Sequence, residues 1–139
     1  REAKLFDEQL EPLRTMVAIT YRARNTARQL SKGSSPDAEK LVRQLGAFHD
    51  SYAELLFEVR AFLPEAVHNH LHDMKHKLNH YRLTFEDAND ARTGRLAPKR
   101  RTEIQEANQQ RLTHAFTELD EGYSRMLEAV QSHLHSSEA

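Results

Sequence analysis

Four histidines recur at every fourth position of one segment, and this is the pattern in the chain that could support chemistry. His68, His72, His76 and His80 are successive i, i+4 neighbours. On a helix, two imidazoles with this spacing can reach one point and bind Zn²⁺, Cu²⁺ or Ni²⁺. Because each step of four residues turns the helix by about 40°, all four rings cannot share one ion. We therefore expect weak surface sites at most, with a solvated polar face as the favoured interpretation.

His49 lies in a different setting from this ladder. It falls between Val42 and Leu56 in an apolar column, so we expect a histidine at the edge of the core with one hydrogen-bond partner. A carboxylate–histidine metal centre inside a helical bundle needs inward glutamates and Glu-x-x-His units from two helices. Only Glu65 and His68 have that spacing, and both fall away from the apolar positions of their segment. We predict no interior metal centre.

Motifs for catalysis are absent from the sequence. There is no Gly-x-Ser-x-Gly turn, no glycine-rich phosphate loop and no His-Glu-x-x-His pair. Cysteine is also absent, which excludes disulfides, thiolate metal sites and a thiol nucleophile. The sequence therefore predicts no enzymatic activity and no cofactor.

Positive charge is concentrated in two segments. Residues 22–43 hold six basic and two acidic residues, and residues 87–106 hold five basic and four acidic ones. In a four-helix bundle both segments reach the same end, where they would attract an acidic protein surface. No nucleic acid is expected, because the net charge is −1 and the aromatics offer no stacking platform. The candidate partner-binding residues are Arg22, Arg28, Lys32, Arg95, Lys99, Arg100 and Arg101.

Two heptad patterns indicate the elements that position these residues. Apolar residues separated by three and four positions line one face of a helix and pack against near-parallel helices, as in a coiled coil. A further apolar column, at positions 42, 49, 56 and 63, lies beside the first seam on the same helix. This broader apolar face is typical of a helix inside a bundle. The two seams are Ala38, Leu41, Leu45, Phe48, Tyr52, Leu55, Val59 and Phe62, and Val67, Leu71, Met74, Leu78, Tyr81, Phe85 and Ala88.

We predict one all-α domain over residues 1–139, an antiparallel up-down-up-down four-helix bundle. Its helices should span about 2–30, 36–62, 64–92 and 98–133, with a kink at Pro12 and Pro36 at the first helical position of the second helix. The alternative is a long central helix kinked at Pro64 and flanked by the first and last helices. The predicted core residues are Leu45, Phe48, Tyr52, Leu55, Leu71, Leu78, Tyr81, Phe116 and Leu119.

The chain's start suggests a tether. No run of 18 apolar residues occurs in the sequence, but a start at Arg1 is one that removal of a signal peptide or membrane anchor would leave. The run REAKLFDEQLE, from Arg1 to Glu11, resembles the segment that follows the anchor in small bacterial helical proteins. That resemblance carries no functional motif. We expect a membrane-tethered domain, with the cytoplasmic side favoured.

Three functional classes remain open. The favoured one is a non-enzymatic interaction or scaffold module that binds a protein partner and forms a homodimer, since Phe57 and Leu83 fall outside the seams. The alternatives are a sensor bundle that holds a small ligand between its helices, and a metal-binding bundle that uses the histidines.

Overall fold

A computed structural model describes residues 2–33, 36–93 and 98–138 of the chain. These residues form four helices: α1 (Glu2–Ser31), α2 (Ala38–Val59), α3 (Glu65–Thr93) and α4 (Pro98–Glu138). A short 3₁₀ turn, Arg60–Phe62, follows α2. The described residues include no β-strand, and no helix among them is long and apolar enough to cross a membrane. The predicted all-α bundle is confirmed.

The helix boundaries differ from the predicted ones in three places. α2 ends at Val59, three residues before the predicted end at Phe62, and the 3₁₀ turn takes its place. α2 begins at Ala38, with Pro36 in the preceding turn, so the prediction of Pro36 as the first helical residue is wrong. α4 extends five residues beyond the predicted end and is the longest helix of the described chain, with 41 residues.

The chain reverses direction at Pro64. Leu63 has an extended backbone, with φ −104° and ψ 143°, a conformation that the steric clash with a following proline favours over the helical one. α3 then returns alongside α2: Tyr52 contacts Leu71, and Val42 lines a cavity with Phe85. A single helix kinked at Pro64 could not bring these residues together, so that alternative is wrong.

Helices α1 and α4 also run antiparallel in their contacts. Between α1 and α4, Thr20 meets Met126, Arg24 meets Asp120 and Arg28 meets Phe116. Between α3 and α4, Tyr81 packs on Phe116, with their ring centroids 6.3 Å apart. These contacts are consistent with an up-down-up-down order of the helices.

The core follows the two predicted seams, with one difference between them. All seven seam residues of α3 are buried. On α2, Leu45, Tyr52 and Val59 are buried, whereas the intervening seam residues Phe48 and Leu55 are half-buried. Of the nine predicted core residues, six are buried and three are half-buried at the core's edge, namely Phe48, Leu55 and Phe116.

Two residues depart from the predicted pattern. Phe62 is exposed although it continues the α2 seam, because the 3₁₀ turn has 3.0 residues per turn and changes the phase of the face. Thr84 is buried although it lies outside the predicted seam of α3. Its hydroxyl donates to the His80 carbonyl at 2.8 Å, so its burial leaves no unpaired donor.

Candidate functional site

The outer face of α1 carries charge of one sign. Residues 12–32 include five basic residues and no acidic one. Arg14, Arg22, Arg28 and Lys32 are exposed, and Tyr21 is exposed among them. We call these five residues the α1 basic face. Arg14 and Tyr21 are not among the residues predicted from the charge pattern. The sequence signal that could have identified them is that residues 12–32 include no acidic residue and that nearly all of them belong to one helix.

Tyr21 is held in place by Arg24, which is half-buried, unlike the other four basic residues of this stretch. The Arg24 guanidinium lies 5.5 Å from the ring centroid of Tyr21 and 4.6 Å from that of Tyr123. Its Nη1 also lies 3.3 Å from Asp120 Oδ1, and the Arg24 side chain is only 19% exposed. The ring of Tyr21, which is 49% exposed, therefore rests on a fixed cation.

Arg22 and Arg28 lie at opposite edges of α1. The Arg22 guanidinium lies 5.3 Å from the ring centroid of Phe48 on α2, and that of Arg28 lies 5.9 Å from the ring centroid of Phe116 on α4. These contacts hold the aliphatic stems against half-buried rings while the charges remain in water. Within the described residues, no carboxylate lies within ion-pair distance of either guanidinium.

A shallow groove lies beside Arg22, between α1 and α2. It has a volume of about 340 Å³ and is open to solvent. The side-chain amides of Asn25 and Gln44 and the hydroxyl of Thr26 belong to residues on its walls, so both donors and acceptors are available there. The groove gives the α1 basic face a recess next to its charges.

The basic residues predicted on α4 lie apart from those on α1. Lys99, Arg100 and Arg101 are exposed in the first turn of α4, and Arg95 lies outside the described residues. Arg101 precedes Phe116, the residue under Arg28, by 15 positions, which is roughly 22 Å along the helix. Charges at this separation are screened from one another at physiological ionic strength, where the Debye length is about 8 Å. The charges of Arg28 and Arg101 therefore do not act as one cluster.

The histidine ladder brings only two ring nitrogens together. His72 Nε2 and His76 Nε2 are 3.0 Å apart, whereas His68 and His72 stack with their ring centroids 5.9 Å apart. The pKa of His72 is lowered by partial desolvation of its ring and, in second place, by His76. Among the described residues, no group of three or more metal-ligating side chains is found.

The interpretation of His49 as a histidine at the edge of the core is confirmed. Its side chain is largely buried, and Nδ1 lies 3.2 Å from Asp50 Oδ1. A second surface cavity, of about 320 Å³, lies between α2 and α3, where Glu39, Arg43 and Glu86 mix both signs of charge.

Comparisons of the chain with protein-family models, with curated proteins and with solved structures give no match.

Proposed function

We propose that this chain is a non-enzymatic helical-bundle interaction module whose α1 basic face binds an acidic protein surface. One observation supports the proposal most strongly. Tyr21 is an exposed aromatic residue on a stretch of 21 residues that holds four exposed cations and not a single carboxylate. Tyrosine and arginine are the residue types most enriched where protein interfaces concentrate their binding energy.

The packing of the face favours binding because little order has to be gained. Tyr21 already rests on Arg24, and the stems of Arg22 and Arg28 already pack on Phe48 and Phe116. Each long side chain fixed on association costs about 0.5–1.5 kcal/mol in lost rotamer freedom. Side chains restrained before binding reduce that cost, so the face is suited to a partner of modest area.

The distribution of charge favours a compact acidic surface over a long polyanion. The whole chain has a net charge of −1 and residues 12–32 contribute +5, so the rest of the chain carries −6. A strand of nucleic acid that extended beyond α1 would meet repulsion from this remainder. An acidic protein patch of about 30 Å, the length of 21 helical residues, would match the face alone.

Two variants with the same loss of charge test the assignment. The first is Arg22→Gln, Arg28→Gln and Lys32→Gln, in which glutamine keeps most of each stem. The second is Lys99→Gln, Arg100→Gln and Arg101→Gln. Each removes three positive charges, and circular dichroism would verify that both keep their helices. Proteins captured from lysate at low salt would be quantified for the original chain and both variants.

We expect the α1 variant to lose its acidic partner and the α4 variant to keep it. Salt should weaken the captured complex steeply, since the attraction depends on exposed charges. The opposite pattern, with loss only in the α4 variant, would move the interface to the start of α4. Equal capture by all three chains would refute the proposal.

A further inference from the structure

His72 and His76, on the outer face of α3, direct their Nε2 atoms at each other. The two nitrogens are 3.0 Å apart, and the ring planes are nearly perpendicular, with centroids separated by 4.5 Å. Both residues are exposed, so each ring can turn without disturbing the core. In the chain alone, this contact requires one ring to donate its N–H to the lone pair of the other.

We propose that His72 and His76 form a two-nitrogen site for Cu²⁺. Imidazole nitrogens bind transition metals at about 2.0–2.1 Å, so a nitrogen separation of 3.0 Å corresponds to an angle at the metal of about 94°. This angle is close to the ~90° of a tetragonal centre and well below the ~109° of a tetrahedral one. The general order of affinities among divalent metals then favours Cu²⁺ over Zn²⁺ at this pair.

The neighbouring side chains limit the site to these two ligands. His68 presents its ring face to His72 in a stack with an angle of 16° between the planes, so its nitrogens do not converge on the same point. Asp73 pairs with Lys77, whose Nζ lies 2.9 Å from Oδ2. The remaining positions around the ion would hold water, so the site would be open to solvent.

The experiment is a titration of Cu²⁺ into the full chain without an affinity tag. Calorimetry would measure the affinity and the stoichiometry, and electron paramagnetic resonance would identify the ligands. We expect one equivalent to bind, with hyperfine structure from two nitrogens. His72→Gln and His76→Gln should each weaken binding by roughly 10–100-fold or more, because each removes a ligand. His68→Gln and His80→Gln are matched controls and should bind as the original chain does, since each removes one histidine from the same ladder.

Several outcomes would overturn the site. Unchanged affinity in either His72→Gln or His76→Gln would exclude the pair as the ligands. An equal loss in all four variants would indicate binding spread over the ladder. Tighter binding of Zn²⁺ than of Cu²⁺ would contradict the assignment of the pair to Cu²⁺. Copper that stays bound through dialysis against a chelator would require more ligands than this pair supplies.

Discussion

The hydroxyl of Tyr52 on α2 donates a hydrogen bond to the backbone carbonyl of Leu71 on α3, at 2.5 Å. The same oxygen lies 3.7 Å from Met126 Sδ on α4, and the Thr20 hydroxyl on α1 lies 3.9 Å from that sulfur. All four helices thus meet around one buried tyrosine. A polar group in an apolar core favours one alignment of the helices, because any shift would leave the hydroxyl unpaired.

Replacing Tyr52 by phenylalanine should therefore cost stability although the ring is kept. We expect a loss of about 1 kcal/mol, the usual net contribution of one buried hydrogen bond. Urea unfolding followed by circular dichroism would measure it. Tyr21→Phe is the matched control: its side chain is exposed, and its unfolding midpoint should not change. A similar effect from both substitutions would show that the buried hydroxyl does not stabilise the bundle.

Alkaline pH should destabilise the bundle through its buried tyrosines. Burial raises the pKa of Tyr81 to about 12 from an ordinary value of 10.0, although a hydrogen bond with Ser31 acts in the opposite direction. Burial, followed by the charge of Asp73, raises the pKa of Tyr52 further. The unfolded chain releases these protons first, so stability is complete below pH 10 and falls above it, by about 1.4 kcal/mol per pH unit for each tyrosine.

The measurement for this pH dependence is the free energy of unfolding at pH 9 and at pH 11. Tyr81→Phe lowers stability at both values but should reduce the difference between them by about 1 kcal/mol, since one of the groups is gone. If the variant and the original chain lose the same free energy between the two pH values, Tyr81 is not protected from ionisation in the folded state.

The register of α3 can be tested with two leucines five residues apart. Leu78 is fully buried, whereas Leu83 is 45% exposed. Leu78→Ala should cost about 2–5 kcal/mol, because it removes buried contacts and leaves a cavity. Leu83→Ala should stay within about 0.5 kcal/mol of the original chain. Chemical denaturation would give both values, and equal costs would mean that the predicted seam is not the buried face.

The heptad pattern predicted all of the buried apolar residues of α3 but only some of those of α2. Every seam residue of α3 is apolar and buried, so periodicity was sufficient there. On α2 the half-buried Phe48 is covered by the guanidinium of Arg22, a contact that periodicity cannot reveal because it comes from another helix. The exposure of Phe62 depends on a change from α to 3₁₀ geometry, which the spacing of apolar residues does not indicate.

The candidate site was predictable in composition but not in layout. The sequence identifies Arg22, Arg28 and Lys32 as basic, yet their separation from Lys99 follows from the length of α4 beyond the point where it meets α1. Leu112 is the first buried residue within the described part of α4, 14 positions after Pro98. The sequence gives the length of a helix only approximately. The alignment of one helix against another depends on side-chain packing, which the sequence pattern does not reveal.

Self-association remains a prediction, and the exposed apolar residues indicate which surface would form the contact between two copies. Phe57 is 64% exposed on α2, with the Arg60 guanidinium 4.1 Å from its ring centroid. Burying such a ring against a second copy contributes roughly 1.5–3 kcal/mol. We expect the molar mass from light scattering to rise with concentration, and Phe57→Ser to lower it. A monomer mass at every concentration would remove the prediction.

The most direct test of the proposed function is photo-crosslinking from the α1 basic face. A benzophenone amino acid placed at Tyr21 should give adducts with an acidic protein in lysate, and these should disappear at high salt or when Arg22 and Arg28 are replaced by glutamine. The same probe at Leu83, which is similarly exposed on α3, serves as the control and should not give this adduct. Identical adducts from both positions, or adducts from position 21 that persist at high salt, would contradict binding through the α1 basic face.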